Sequence, residues 1–384
     1  MKKIGLVEYY SKEKIAPIRQ DIADLLAHRR RRNRLFQGVG IRADWIREKK
    51  IMEVGPGAGF NSIILAEARP REFVLVEGNP TGMKETKERL RKHLAHAPGL
   101  KLKFWQKNLM KLKPEAQFDM VFCEGVLSGV VELRHFILRL AGWVKKGGIL
   151  FISTVDELSY MPDTLRRILV QLNLSSYSNP YSSARSFEKD LKGHFQNLPG
   201  MSRPVHDWIV DNAINPASNL PLYNIPEIVS LLGKQFDFVG SWPRFVEDWR
   251  WYKELTQSRS QFNQAAIESY WRKCHNLLFY GPIHPERPAF MNQKLYQKAA
   301  AVRRYLRGWE NHRSFGNLVR LSRAIREFGL HLPVAATRQA RFVRCFSEII
   351  LGDKKGAQKL FLDPTFKKWF GRGQQYMALE KVAE

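Results

Sequence analysis

The chain has 384 residues, 44% of them hydrophobic and 12% aromatic, which is enough to bury a sizeable core in one large or two modest domains. Its 63 Lys and Arg outnumber 37 Asp and Glu to give a formal net charge of +26, which favours an anionic partner: nucleic acid, an anionic membrane surface or an acidic substrate. No uncharged apolar run approaches the roughly 18 residues of a membrane span, and Cys123, Cys274 and Cys345 are too scattered for a disulfide framework or a zinc module.

The N-terminus starts basic but meets Glu8, Tyr9 and Tyr10 before an apolar stretch can form, so no secretory signal is expected and the protein is expected in the cytoplasm. Residues 11–35 read as helical, with Ile15, Ile18, Ile22, Leu25 and Leu26 at helix spacing. Within them, the run His28-Arg29-Arg30-Arg31-Arg32-Asn33-Arg34 projects all round the helix. It reads either as a solvated helix end or as a contact for an acidic ligand, a lipid headgroup or a phosphate. From about residue 50 strands and helices alternate: a strand at Ile51–Val54, a helix over 60–68, a strand at Phe73–Glu77, a helix from Thr81 to about Ala95, and strands at Lys101–Trp105, Phe118–Cys123 and Ile149–Thr154. Such alternation predicts a doubly wound α/β sheet, mostly parallel, with helices on both faces.

Between 156 and 222 the rhythm breaks into Ser-, Asn-, Pro- and aromatic-rich segments, read as an inserted substrate lid over the carboxyl ends of the strands. A helix at Ile225–Leu232 and a strand at Phe236–Gly240 follow, and Leu277–Tyr280 is the candidate last strand. The expected organisation is an N-terminal helical cap over 1–40, a sheet domain over 41–285 with its insertion at 156–222, and a basic helical region over 286–384. That last region is assigned to packing or oligomer contact ahead of a nucleic-acid surface, because its basic residues alternate with ordinary apolar helix positions.

The sharpest motif is Glu53-Val54-Gly55-Pro56-Gly57-Ala58-Gly59, an apolar strand running into a G-x-G-x-G turn. Missing Cβ atoms let such a backbone approach a ligand and adopt torsions that other residues resist. The second strand ends at Glu77, where a carboxylate can accept bonds from both ribose hydroxyls. The spacing differs from the G-x-G-x-x-G of dinucleotide sites, which weakens the case for a pyrophosphate.

On these residues, 51–154 resemble the core of class I S-adenosylmethionine-dependent methyltransferases, small-molecule type. The resemblance implies a seven-stranded Rossmann-like methyltransferase fold and S-adenosyl-L-methionine as cofactor. It implies that Gly55, Gly57 and Gly59 pass beneath the methionine part, that Glu77 binds the ribose with Asn79 beside it, and that Glu53 orients the turn and the amino acid end. By the same analogy Asn108 lies near the adenine, although the family usually has aspartate there, and Glu124 closes the methionine side.

For the methyl acceptor, alignment matters most, with a base where the accepting oxygen or nitrogen carries a proton. His206 next to Asp207, with Asp211 one helical turn further on, offers a base and an orienting partner; a helix cap with a surface neighbour is the alternative. Asp156, Glu157 and Tyr160 follow the fifth strand and are expected to face the acceptor. Arg244 and Arg250 could grip a carboxylate or phosphate beside Trp249, which otherwise packs in the core. The expected activity is methyl transfer to O or N of a small molecule, which could be anionic. An RNA or DNA methyltransferase is the alternative; the fourth strand ends Cys123-Glu124-Gly125-Val126, without the Asn/Asp-Pro-Pro-aromatic sequence of nucleobase amino methyltransferases. A non-catalytic cofactor-binding scaffold or sensor is the third reading, and the oligomeric state is left open.

Overall fold

The computed structural model describes residues 4–16, 19–94, 100–113, 117–174, 179–198, 200–247 and 260–382. They divide into two compact units, and the chain passes between them repeatedly. A sheet unit comprises 4–154, 221–270 and 374–384, and a helical unit 155–220 and 271–373, with the first three residues of the chain grouped with it.

The sheet unit holds seven strands: β1 Lys50–Val54, β2 Glu72–Val76, β3 Lys101–Trp105, β4 Phe118–Cys123, β5 Val144–Thr154, β6 Phe236–Trp242 and β7 Gln375–Lys381. Their order is β3-β2-β1-β4-β5-β7-β6. The first five pair in parallel, whereas β7 runs antiparallel to both β5 and β6. This is the mostly parallel sheet with flanking helices that the alternating sequence predicts. The order reverses between β1 and β4, so the crevice where open α/β sheets bind ligands lies beyond the carboxyl ends of those two strands.

Both faces of β1 and β2 are buried, which accounts for their continuous apolar runs. On one face Phe36 packs edge-on against Phe122 and Phe151, with ring centroids 6.2 and 5.5 Å apart, and Val39, Ile41, Ile51 and Phe73 complete that layer. The side chain of Asn263 closes the outer edge of β6: its Oδ1 accepts from Phe238 N at 2.7 Å and its Nδ2 donates to Phe236 O at 2.9 Å. Backbone groups that would otherwise face another chain are thereby occupied.

Three expectations about elements need correction. The stretch 11–35 is not one helix but two, Leu6–Glu13 and Leu25–Gly38. Lys14 ends the first in a left-handed conformation, and the Asp24 carboxylate caps the second by accepting from Ala27 N at 2.9 Å. Leu277–Tyr280 is not the closing strand. Cys274–Leu278 is a 3-10 turn whose carbonyls are used by the chain's later part: Leu277 O accepts from Arg372 N and Leu278 O from the Trp369 indole. The closing strand is β7, within the stretch read as helical.

The helical unit is built largely from Met161–Asn173, Pro180–Phe195, Ala289–Asn311, Phe315–Gly329 and Thr337–Ile349. The segment 156–222, read as an inserted lid, thus contributes two of these helices, Met161–Asn173 and Pro180–Phe195. Buried Arg166 ties its parts together by donating to the carbonyls of Phe366 and Trp369 at 3.0 and 2.9 Å, while its guanidinium lies 3.9 Å from the centre of the Phe370 ring. No helix among the described residues is long and apolar enough to cross a membrane.

Candidate cofactor site

The turn after β1 has all three glycines at positive φ: Gly55 at 73°, Gly57 at 60° and Gly59 at 78°. Space as well as torsion excludes a side chain at two of them. A Cβ on Gly55 would stand 2.4 Å from Val126 Cγ2, and one on Gly59 3.1 Å from Thr86 Cα. Gly55 N donates to Val76 O at 2.8 Å, carrying the β1–β2 pairing into the turn. The Thr86 hydroxyl donates to Gly57 O at 2.8 Å, and Arg89 donates to Ala58 O from a guanidinium lying 3.8 Å above the Phe60 ring. The helix Pro80–His93 thus holds the turn from below.

Glu77 is buried just past β2. Its Oε2 accepts from Gly57 N at 3.0 Å and its Oε1 from Asn79 N at 2.8 Å, so one carboxylate ties the two strand ends together. Burial pushes its proton affinity up, and the amides of Asn79, Gly57 and Gly78 oppose that shift. Each oxygen keeps a further lone pair for a ligand hydroxyl. Asn79, also buried, caps Pro80–His93 through Thr81 N and donates to Ile15 O at 2.9 Å, which draws the N-terminal segment to the same place.

Around the end of β1 and β4 lies a charged cluster. Arg32 makes a two-pronged bond to Glu124 at 2.7 and 2.6 Å, with both side chains almost wholly buried. Burial lifts Glu53 to a pKa of about 8, the nearby Glu124 and Glu77 adding to the shift and Ser62 and Arg32 opposing it. Three buried polar atoms here, Arg32 Nε, Glu53 Oε2 and Ser62 Oγ, have no hydrogen-bond partner among the described residues. Such atoms are rare in folded proteins and point to a missing polar group.

The arginine run is thereby resolved residue by residue. His28 Nε2 lies 3.2 Å from Phe60 O in the turn, and Arg29 binds Glu67 at 2.9 and 2.8 Å; these and Arg32 face the protein, while Arg30, Arg31 and Arg34 face solvent. The sequence reading assigned none of His28, Arg32, Thr86 or Arg89 to the site. Only the helix register of 28 and 32, one turn apart in a basic run, carried a hint.

The structure brings Glu53, Gly55, Gly57, Gly59, Glu77, Asn79 and Glu124 together in the sheet unit. Asn108 lies beyond β3, exposed, capping a short turn through Met110 N. Arg244 is in the same unit, half exposed, with its Nε 3.4 Å from Gly38 O. Trp249 and Arg250 lie outside the described residues.

The other named residues belong to the helical unit, and their partners differ from those expected. His206 pairs through Nδ1 with Glu188 and stacks on the Tyr181 ring at 5.1 Å. Asp211 binds Arg203 at 2.7 Å, so it does not orient His206. A six-residue π-helix, Ile209–Ile214, widens the spacing here, so α-helical periodicity misplaces Asp211. Asp207 is fully buried, as is Asp156, whose Oδ1 accepts from Leu158 N and Ser159 N in a local turn. Tyr160 donates to Asn212 Oδ1 at 2.6 Å, and burial raises its phenol's pKa.

Residues 47–197 match a family model described as a methyltransferase domain. Ubiquinone biosynthesis O-methyltransferase of Vibrio vulnificus (strain YJ016) is 35% identical over 118 residues, 30% of this chain and 48% of that protein. The enzyme of the same description from Escherichia coli O7:K1 is 31% identical over 123 residues, 31% of this chain and 48% of that protein. The chain thus spans about half the length of these curated relatives. Among solved structures, magnesium protoporphyrin IX methyltransferase from Synechocystis PCC 6803 superposes with a TM-score of 0.31 at 19% identity, covering 44% of this chain and 68% of that one.

Proposed function

We propose, for a chain whose residues 47–197 form a methyltransferase domain of the class I S-adenosylmethionine-dependent superfamily, that it binds S-adenosyl-L-methionine at the β1–β4 crevice and transfers its methyl group to O or N of a small molecule. The observation that carries this reading is the three-glycine turn at positive φ fastened to Glu77 by Gly57 N. A cradle too tight for Cβ atoms, beside an orphaned guanidinium donor and an orphaned carboxyl oxygen, fits an amino acid carrying a carboxylate and an ammonium.

Glu77 would accept the ribose hydroxyls, and the backbone of Gly55 to Gly57 would hold the methionine chain. Arg32 Nε is the donor left for the carboxylate, and Glu53 Oε2 the acceptor left for the ammonium. Asn108 remains the residue proposed near the adenine. When bound, the cofactor would supply an electrophilic methyl on a sulfonium for an in-line displacement by the acceptor's lone pair. An acceptor that carries a proton needs a base, and His206 is proposed for that role. Glu188, in place of Asp207 and Asp211, would orient the ring through Nδ1.

The test is calorimetric binding of S-adenosylmethionine to the wild type and to Glu77→Ala, followed by transfer of labelled methyl into fractionated cell extract. Binding that survives Glu77→Ala would overturn the site assignment. Label in nucleic acid would replace the small-molecule acceptor with the nucleic-acid one, and binding without any transfer would leave a sensor. Loss of transfer in His206→Gln with unchanged cofactor affinity supports the base.

A further inference from the structure

We infer that the hairpin of helices Phe315–Gly329 and Thr337–Ile349 docks on an anionic lipid surface. Its inner faces are ordinary core, with Leu321, Ile325, Phe328, Phe342, Val343 and Phe346 buried. Its connecting tip is not. Leu330 is 71% and Val334 94% exposed, the latter the highest exposure of any large hydrophobic residue described.

Immediately behind this tip lies a cleft of about 350 Å³ lined by Arg326, Gly329, Leu330, Thr337, Ala340, Arg341 and Arg344. The three guanidiniums are exposed, and none takes part in an ion pair among the described residues. Of the nearest carboxylates, Glu327 is engaged by Lys298 at 3.1 Å, and Glu348 stands one turn beyond Arg344. The helical rise of about 1.5 Å per residue puts Arg344 roughly 10 Å from the start of its helix. Arg326 and Arg341, within about 6 Å of the tip ends of their helices, therefore fall in the headgroup layer when the tip residues reach the acyl boundary, and Arg344 reaches down to it from the next turn on its long side chain.

Charge and shape select the occupant. Guanidinium forks bind phosphate oxygens, and stable attachment to a membrane surface takes two signals together, an apolar insertion and a basic patch. Both are present within a few residues here. A single-stranded nucleic acid would call for aromatic platforms, and none of the residues lining the cleft is aromatic. It would also leave the exposed aliphatic tip without a role.

The experiment is cosedimentation of the full chain with vesicles of phosphatidylcholine alone and of phosphatidylcholine mixed with phosphatidylglycerol. The wild type is expected on the mixed vesicles only. Arg326→Gln, Arg341→Gln and Arg344→Gln together should weaken that partition on the order of a hundredfold, about fivefold for each basic residue near an anionic surface. Leu330→Asp with Val334→Asp should weaken it at least tenfold. A control with the same added charge at two other exposed apolar positions, Phe315→Asp with Leu362→Asp, should lose much less. All of these positions are exposed, and circular dichroism checks that each variant is folded. Equal losses in the tip and control pairs would overturn the inference, as would binding indifferent to phosphatidylglycerol. An arginine variant that loses a single-stranded RNA oligonucleotide but keeps the vesicles would hand the surface to nucleic acid instead.

Discussion

Arg32→Met separates two roles of one side chain. In the folded protein the guanidinium binds Glu124 through two bonds of 2.7 and 2.6 Å, at 6% and 8% side-chain exposure. Removing one partner of a buried pair strands the other charge and costs about 3–5 kcal/mol, whereas removing both is often close to neutral. Arg32→Met should therefore destabilise the sheet unit by that amount, and adding Glu124→Gln should restore most of it. Hydrogen exchange at β1 and β4 amides reads the effect on this unit directly. The folded double variant then tests the ligand role. Charge-assisted hydrogen bonds contribute about 1.5–3 kcal/mol, so the wild type should prefer S-adenosylmethionine over its decarboxylated analogue by roughly tenfold to a hundredfold. In the double variant that preference should collapse towards one. A double variant that discriminates as well as the wild type would refute Arg32 as the carboxylate anchor while leaving cofactor binding itself untouched.

Glu53 gives the stability a pH signature. Its pKa is raised from 4.5 to about 8, so the folded state keeps a proton that the unfolded chain has already released. Its stabilising contribution is full below 4.5 and is lost as pH rises through about 8, with a slope of at most about 1.4 kcal/mol per pH unit. Glu53→Gln should flatten that part of the stability–pH curve; denaturation across this range measures it, and an unchanged slope would mean Glu53 is not the group. Gly59→Ala should cost about 1–3 kcal/mol through its left-handed torsion and more through contact with Thr86, and should weaken the cofactor. Gly147→Ala, at φ 69° but facing open space, should show only the torsional part; equal losses would discount the Thr86 contact.

Local pattern made much of the sheet legible. The apolar runs of β1, β2 and β4 were found because strands buried on both faces contain little else, and the glycine turn because backbone torsion restricts residue type. β7 escaped because Gln375-Tyr376-Met377-Ala378-Leu379-Glu380-Lys381 consists largely of good helix formers, and antiparallel partners on both sides override that preference. Leu277–Tyr280 misled in the opposite sense, being apolar and short without pairing. Within the site, Glu53, Glu77 and the glycines were readable because they lie next to their strands. The Arg32–Glu124 bond joins positions 92 residues apart, and the His206–Glu188 pair depends on two helices meeting; no spacing rule encodes either.

The position of β7 in the sheet sets the order in which the protein can be made. β5 and β6 do not pair with each other; both pair with β7, which follows β6 in the chain only after the greater part of the helical unit. Until then a nascent chain carries two unclosed strand edges, the state in which chains pair with the wrong neighbour. The sheet therefore cannot lock until the helical unit has been made and β7 is free to return between β5 and β6, and a chain interrupted within the helical unit is left open to chaperones and proteases.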